Sequence, residues 1–184
     1  MQLALFPLPI CLLPGGFTKL RIFEPRYKRL VSESLSSGMG FGLCMLGENN
    51  EPMPVATRVE IIDFEALDDG LLGISIAGIE RIEILSWHSE SDGLKRGEAR
   101  ILSPWEPSKV NKDHLLLSQR LEEVMHAFPQ QQNLNQTADF NDLTWVCQRW
   151  LELLPIALVH KQQCYRQDSP DMALALLEQI IEKE

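Results

Sequence analysis

The chain has 184 residues, 45% of them hydrophobic and 23% charged, with 17 Lys and Arg against 26 Asp and Glu for a net charge of -9. That length holds one sizeable core or two small subdomains, and the composition excludes disorder, collagen-like sequence and a membrane protein. Both halves are acidic, 10 basic against 14 acidic residues through Trp105 and 7 against 12 after it, which disfavours a nucleic-acid partner.

Residues 1–14 alternate apolar runs with Pro7, Pro9 and Pro14. They lack the basic start and small-residue cleavage site of a secretory signal, so they read as structure: an extended edge segment, since proline in a sheet belongs at edges, ends or bulges. A turn follows at Gly15-Gly16. Phe17 to Phe23 then alternates as a strand does, with Leu20 and Ile22 directed inward. Pro25 suits the first turn of a helix and Glu24 complements its positive end. Tyr27, Leu30, Val31, Ser34 and Leu35 form the apolar stripe of that helix, Arg26, Arg29 and Glu33 face solvent, and Gly38 ends it.

Strand-like runs follow at Gly40–Leu46, Val55–Leu67, Leu71–Ala77, Ile79–Trp87 and Gly97–Leu102, with a hairpin turn at Asp68-Asp69-Gly70. Short strands in succession with one inserted helix predict a curled antiparallel sheet, partly closed into a barrel. From about residue 108 the period becomes helical. Leu117, Leu121, Val124, Met125 and Phe128 make one stripe, and Pro129–Thr137 reads as a polar connection. Leu143, Val146, Cys147, Trp150, Leu151 and Leu154 make a second stripe, halted at Pro155. A short helix over Ile156–Tyr165 follows, and Ser169-Pro170-Asp171 opens a last one bearing Leu174, Leu177, Ile180 and Ile181. The fold class is α+β: a β-rich part over 1–107 and a helical part over 108–184.

No chemistry-bearing motif emerges. The P-loop pattern and the G-x-S-x-G elbow are absent, and Ser118 near Arg120 reads as a polar helix position rather than a nucleophile with its base. His88, His114, His126 and His160 lack metal-ligand spacing, and no C-x-x-C pair exists. Cys11, Cys44, Cys147 and Cys164 sit in apolar contexts, as buried thiols of a reducing compartment do. The acidic pairs Asp68-Asp69 and Glu122-Glu123 fall on a turn and on a solvated helix face. No run of about twenty apolar residues exists to span a bilayer. The expectation is a cytoplasmic chain with no catalytic residue, metal or cofactor.

One string is specific. Phe6-Pro7-Leu8-Pro9, Leu13-Pro14-Gly15-Gly16 and Arg21-Ile22-Phe23-Glu24-Pro25-Arg26-Tyr27 come in fixed order, and together they resemble the opening signature of the Lon N-terminal domain family. Gly40-Phe41-Gly42 with Ala56–Ile61, and Asp69–Ile74 with Gly78–Ile82, resemble its next strands. Leu153-Leu154-Pro155, Lys161-Gln162 and Asp168-Ser169-Pro170 are similar to its helical tail. The family forms the substrate-recognition end of ATP-dependent Lon protease and also occurs as free-standing proteins without motor or peptidase.

The resemblance implies a PUA-like β-rich pseudo-barrel with one inserted helix, followed by a C-terminal helical subdomain. It implies a non-enzymatic module that binds exposed apolar segments of other polypeptides, accessory to ATP-dependent proteolysis, with a Lon-type protease as a partner. Met39, Phe41, Met45, Trp87 and Trp105 are the peptide-binding candidates, because polarizable and aromatic side chains suit adaptable apolar recognition. The signature itself reads as scaffold. An alternative is a PUA-like RNA-binding protein using Arg21, Arg26, Lys28 and Arg29, and a second is a small hydrolase for which no nucleophile can be named.

Overall fold

A computed structural model describes residues 1–128 and 138–181. The chain divides into two compact units, Met1–Leu102 and Ser103–Glu184, where the change of period put the division after residue 107.

The first unit holds strands β1 (Gln2–Leu8), β2 (Phe17–Ile22), β3 (Phe41–Met45), β4 (Val55–Ala66), β5 (Leu72–Ser89) and β6 (Lys95–Ile101), with helix α1 (Pro25–Ser37) between β2 and β3. The sheet order is β2-β5-β4-β3-β1-β6, and β6 pairs back onto β5. Five strands therefore close a ring, and β2 stands outside it. The long strand β5 makes this possible: Leu72–Ala77 carries β2, while Ile82–Ser89 carries β6. The two separate strands read on either side of Gly78 are one strand. Register shifts opposite it, between Arg58 and Val59 and between Ile61 and Asp63, supply the curvature that closure needs.

The first segment corrects two expectations. β1 lies inside the sheet, between β3 and β6, and it runs parallel to β3, so the sheet is mixed rather than antiparallel. β2 and α1 form the crossover that a parallel pair requires. Pro7 is tolerated because pairing with β6 stops at Leu5 while pairing with β3 continues to Leu8, leaving its nitrogen outside a two-sided ladder. Both faces of β1 are buried. Leu3 and Leu5 pack with Cys44, Ala56, Ile82 and Ala99 inside the ring. Ala4 and Phe6 pack with Phe41, Leu43 and Val59 beneath Leu30 and Val31 of α1.

The ring is narrow enough to need glycine. A Cβ on Gly42 would lie 2.8 Å from Leu5 Cδ2, and one on Gly97 the same distance from Leu5 Cδ1. α1 begins and ends as read: Pro25 opens it, and Gly38, at φ 67°, donates its N–H to the Ser34 carbonyl. Leu35 is 52% exposed, because it lies past the edge of the stripe that Leu30, Val31 and Ser34 bury. The Asp68-Asp69-Gly70 turn joins β4 to β5, with Leu67 N–H donating to the Leu71 carbonyl over 2.8 Å.

The second unit contains α2 (Leu115–Ala127), α3 (Leu143–Leu153), α4 (Leu158–Tyr165) and α5 (Asp171–Ile181). Leu117, Leu121, Met125, Val146, Cys147, Trp150, Leu177 and Ile181 form its core. The Asp142 side chain caps α3 by accepting the Thr144 N–H, and Trp150 Nε1 donates to the Leu117 carbonyl over 2.9 Å. Phe128 lies past the end of α2 and is exposed. The connection read over Pro129–Thr137 lies outside the described residues. Among the described residues no helix is long and apolar enough to cross a membrane.

Candidate functional site

The first unit carries an open groove of about 750 Å³, inside the 300–1,000 Å³ range of ligand sites. One wall is Phe6 to Ile10, where β1 leaves the sheet, and the other is Lys19, Leu20 and Arg21 of β2. Phe23, Glu24, Arg26 and Tyr27 close one end at the start of α1, while Leu46, Asn50 and Lys95 come from three distant loops and strand ends. Nine of these fifteen residues are apolar or aromatic, so the groove suits an apolar occupant with a polar rim.

Three successive residues of β2 line it, although successive side chains in a strand point to opposite faces. The groove therefore runs along the backbone edge of β2 rather than over one face. That edge is open, since among the described residues β2 pairs with β5 alone, and an open edge presents backbone donors and acceptors to an added chain. Counting from the bond that Gly78 N–H donates to the Gly16 carbonyl, alternation turns the backbone groups of Phe17, Lys19 and Arg21 away from β5.

The walls are held in place by the signature. The Tyr27 ring stacks on Phe6 at 3.9 Å between centroids, and Phe6 packs on Phe41 at 6.2 Å. Burial raises the Tyr27 phenol above its ordinary pKa, a shift that neighbouring Arg26 opposes. Glu24 is the N-cap residue of α1 without a side-chain cap bond; its carboxylate instead accepts from Arg26 Nε over 2.8 Å. Arg26 also donates to the Gly93 carbonyl over 3.1 Å and lies 4.9 Å from the Tyr27 ring centroid. Gly15, at φ 77°, turns the chain into β2, and its N–H donates to the Gly78 carbonyl over 2.9 Å. Thr57 Oγ1 donates to the Leu12 carbonyl over 2.6 Å, pinning the segment beyond the Phe6–Ile10 wall.

Behind α1 a second cluster fixes the helix to the β5–β6 hairpin. Arg29 bonds Glu33, Glu90 and Asp92, and Arg96 bonds Glu33 and Glu90 over 2.7 Å each. Arg96 first and Arg29 second hold the Glu33 and Glu90 carboxyls below the usual carboxylate range.

The peptide-binding candidates do not assemble. Phe41, Met45 and Trp105 are buried core residues, with Trp105 Nε1 donating to the Gln167 carbonyl over 2.8 Å, so a chain docked on the surface does not touch them. Met39 is exposed but borders a separate cleft of about 140 Å³ with Ser37 and Gly40. Trp87, 36% exposed, stands one residue back from the groove, with Lys95 Nζ 4.4 Å from its ring centroid.

Nine signature residues line the groove instead: Phe6, Pro7, Leu8, Pro9, Arg21, Phe23, Glu24, Arg26 and Tyr27, with Ile10 continuing the first run. Pro14, Gly15, Ile22 and Pro25 shape the chain around it. Sequence reasoning missed Lys19, Leu20, Leu46, Asn50 and Lys95 as lining residues. The Phe17–Phe23 alternation was a signal for the first two. Nothing local marked the others, which only strand order brings together.

The remaining chemistry is quiet. All four cysteines are buried, and burial pushes the Cys44 and Cys147 thiols up to about 12. Ser118 Oγ donates to the Phe140 carbonyl over 2.5 Å, occupying its hydroxyl structurally. No cluster of three His, Cys, Asp or Glu able to hold a metal occurs among the described residues.

Comparison with known proteins shows the family. The family model for the ATP-dependent protease La (LON) substrate-binding domain matches residues 2–183. The chain belongs to that family. A Lon N-terminal domain protein from Xanthomonas campestris, solved as a crystal structure, is 30% identical over 96% of both chains with a TM-score of 0.79. The N-terminal domain of a Mycobacterium avium complex Lon protease is 12% identical over 100% of both chains with a TM-score of 0.69, a likeness of fold. In this Lon-type substrate-binding domain much of the opening signature, though not the later blocks of resemblance, walls the groove.

Proposed function

We propose that this chain is a non-enzymatic binding module that takes an extended, apolar segment of another polypeptide into the groove beside β2. The observation that carries the reading is that apolar signature residues and an open strand edge line the same groove. An added strand gains backbone hydrogen bonds from the edge while its alternate side chains enter apolar pockets. At about 3.3 Å per residue, the six residues of β2 match a client segment on the order of six residues. Phe23, 62% exposed, offers apolar surface at one end. Phe64 pairs with Ile74 and Ile74 with Leu20, so Phe64 continues the same face two strands away.

The family's substrate-binding description supports this reading, and the raised cysteine pKa values argue against thiol chemistry. We place the chain in a reducing, cytoplasmic compartment, where free thiols are ordinary, presenting or withholding client segments for an ATP-dependent protease of the Lon type. The experiment is fluorescence anisotropy with labelled eight-residue peptides of unstructured apolar sequence, against wild type and Phe23→Ser. Binding that weakens about tenfold in the variant, near the transfer free energy of one aromatic side chain, supports the reading. No binding to any apolar peptide, with the protein folded by circular dichroism, sinks it.

A further inference from the structure

We propose that the groove prefers apolar segments that also carry carboxylates, so that its clients are acidic as well as extended. This rests on the peptide-binding reading above and adds a charge rule to it. The groove is lined by four cations, Lys19, Arg21, Arg26 and Lys95, and by one carboxylate, Glu24, in a half-chain with 10 basic and 14 acidic residues. A basic groove on an acidic chain marks the sign of its partner, since complementary charge steers encounter and selects among ligands of equal apolarity.

The five charges differ in how free they are. Arg26 and Glu24 neutralise each other over 2.8 Å, and Arg26 is further held by the Gly93 carbonyl. Lys19 pairs with Glu65 over 3.4 Å and Arg21 with Asp69, but all four of these side chains are largely exposed. Pairs of that kind are worth little, so an incoming carboxylate exchanges for either. Lys95 has no carboxylate partner among the described residues; it rests on the Trp87 ring and lies 3.4 Å from Ser89 Oγ. Three cations thus stand among the apolar lining residues Leu8, Leu20 and Phe23. Polyanion binding would need the basic run to continue through Lys28 and Arg29, yet Arg29 is held by Glu33, Glu90 and Asp92.

The test uses three labelled peptides sharing one apolar core, with flanking residues Asp and Glu, Ser and Thr, or Lys, titrated onto the full chain at low salt and at 1 M salt. The acidic peptide is expected to bind roughly tenfold tighter than the neutral one, the sum of a few exposed charge contacts. The basic peptide binds weakest, and the order collapses at 1 M salt, where screening is nearly complete. Lys95→Glu, which reverses the one groove cation with no carboxylate partner among the described residues, is expected to bring the acidic-to-neutral affinity ratio from about tenfold to near one. Equal affinity for all three peptides overturns the charge rule and leaves the peptide-binding reading standing. No binding by any of them overturns both. An oligoribonucleotide that outcompetes the acidic peptide, with the same loss in Lys95→Glu, also overturns the proposal by naming a different polyanion.

Discussion

The two halves of β5 do opposite work. Its second half, Ile82–Ser89, is paired on the side that closes the ring, and the interior there is so tight that Gly42 and Gly97 must make room for Leu5. Its first half, Leu72–Ala77, carries β2, whose far edge is open and bordered by the groove. One strand thus joins a closed region without edges to a region that keeps one. The difference separates where the fold stores stability from where it keeps unspent hydrogen-bonding capacity, and substitutions should fall on one side or the other.

The largest effect should come from filling the closed half. Gly42→Val places methyl groups where a single Cβ is already 2.8 Å from Leu5 Cδ2, and overpacking should lower the unfolding free energy by about 3 kcal/mol. A urea titration reads this directly, and an unchanged midpoint would mean that the ring is looser than described. Tyr27→Ala removes the ring stacked on Phe6 in the groove lining. A half-buried aromatic should cost about 2 kcal/mol and should weaken peptide binding as well, because both rings line the groove. Loss of stability with undiminished binding would break that link.

A smaller effect belongs to the ion cluster behind α1. The Glu33 and Glu90 carboxyls are held below their ordinary range when folded. They therefore contribute stability that is present above the ordinary carboxylate pKa and is lost as the pH falls through the depressed folded values. Arg96→Gln should lower the unfolding free energy at pH 7 by less than about 1 kcal/mol, and the gap from wild type should vanish in strong acid. A gap constant from pH 7 to pH 2 would assign Arg96 a packing role instead. The smallest effect on stability should come from Lys19→Pro. The Lys19 N–H points away from β5, so proline spares the β2–β5 ladder while deleting an edge donor. Stability should move by less than about 0.5 kcal/mol, with peptide affinity lost; Lys19→Gln, which keeps the donor, should retain most of it.

Much of the architecture was legible because it is written locally. Pro25 and Gly38 bracket α1, Asp68-Asp69-Gly70 makes the β4–β5 turn, and the stripes through Leu121, Trp150 and Leu177 mark helices. What failed was long-range. The run Leu3-Ala4-Leu5-Phe6 is nearly continuous apolar sequence, the pattern of a strand buried on both faces, but the nearby prolines outweighed it and β1 was read as an edge. The parallel pairing of β1 with β3 follows from a crossover through β2 and α1 that no local pattern encodes. The peptide-binding candidates scatter for a related reason. Phe41, Met45 and Trp105 have the side chains of a binding surface and are core, because residue type alone does not separate the two fates. Phe6, Arg21, Phe23 and Tyr27 were recognised and assigned to scaffold, whereas scaffold and groove wall are here the same residues. Lys95 and Asn50 reach the groove only through strand order.

The central claim is that the open edge of β2, walled by the signature, is where a polypeptide segment binds. The direct measurement is an amide NMR titration of the isotope-labelled chain with the acidic apolar peptide. The account predicts shifts concentrated in Phe6–Ile10, Phe17–Tyr27 and Lys95, with the Lys19 and Arg21 amides gaining protection from hydrogen exchange. Saturable shifts confined to α2–α5, with β2 unmoved, would contradict it.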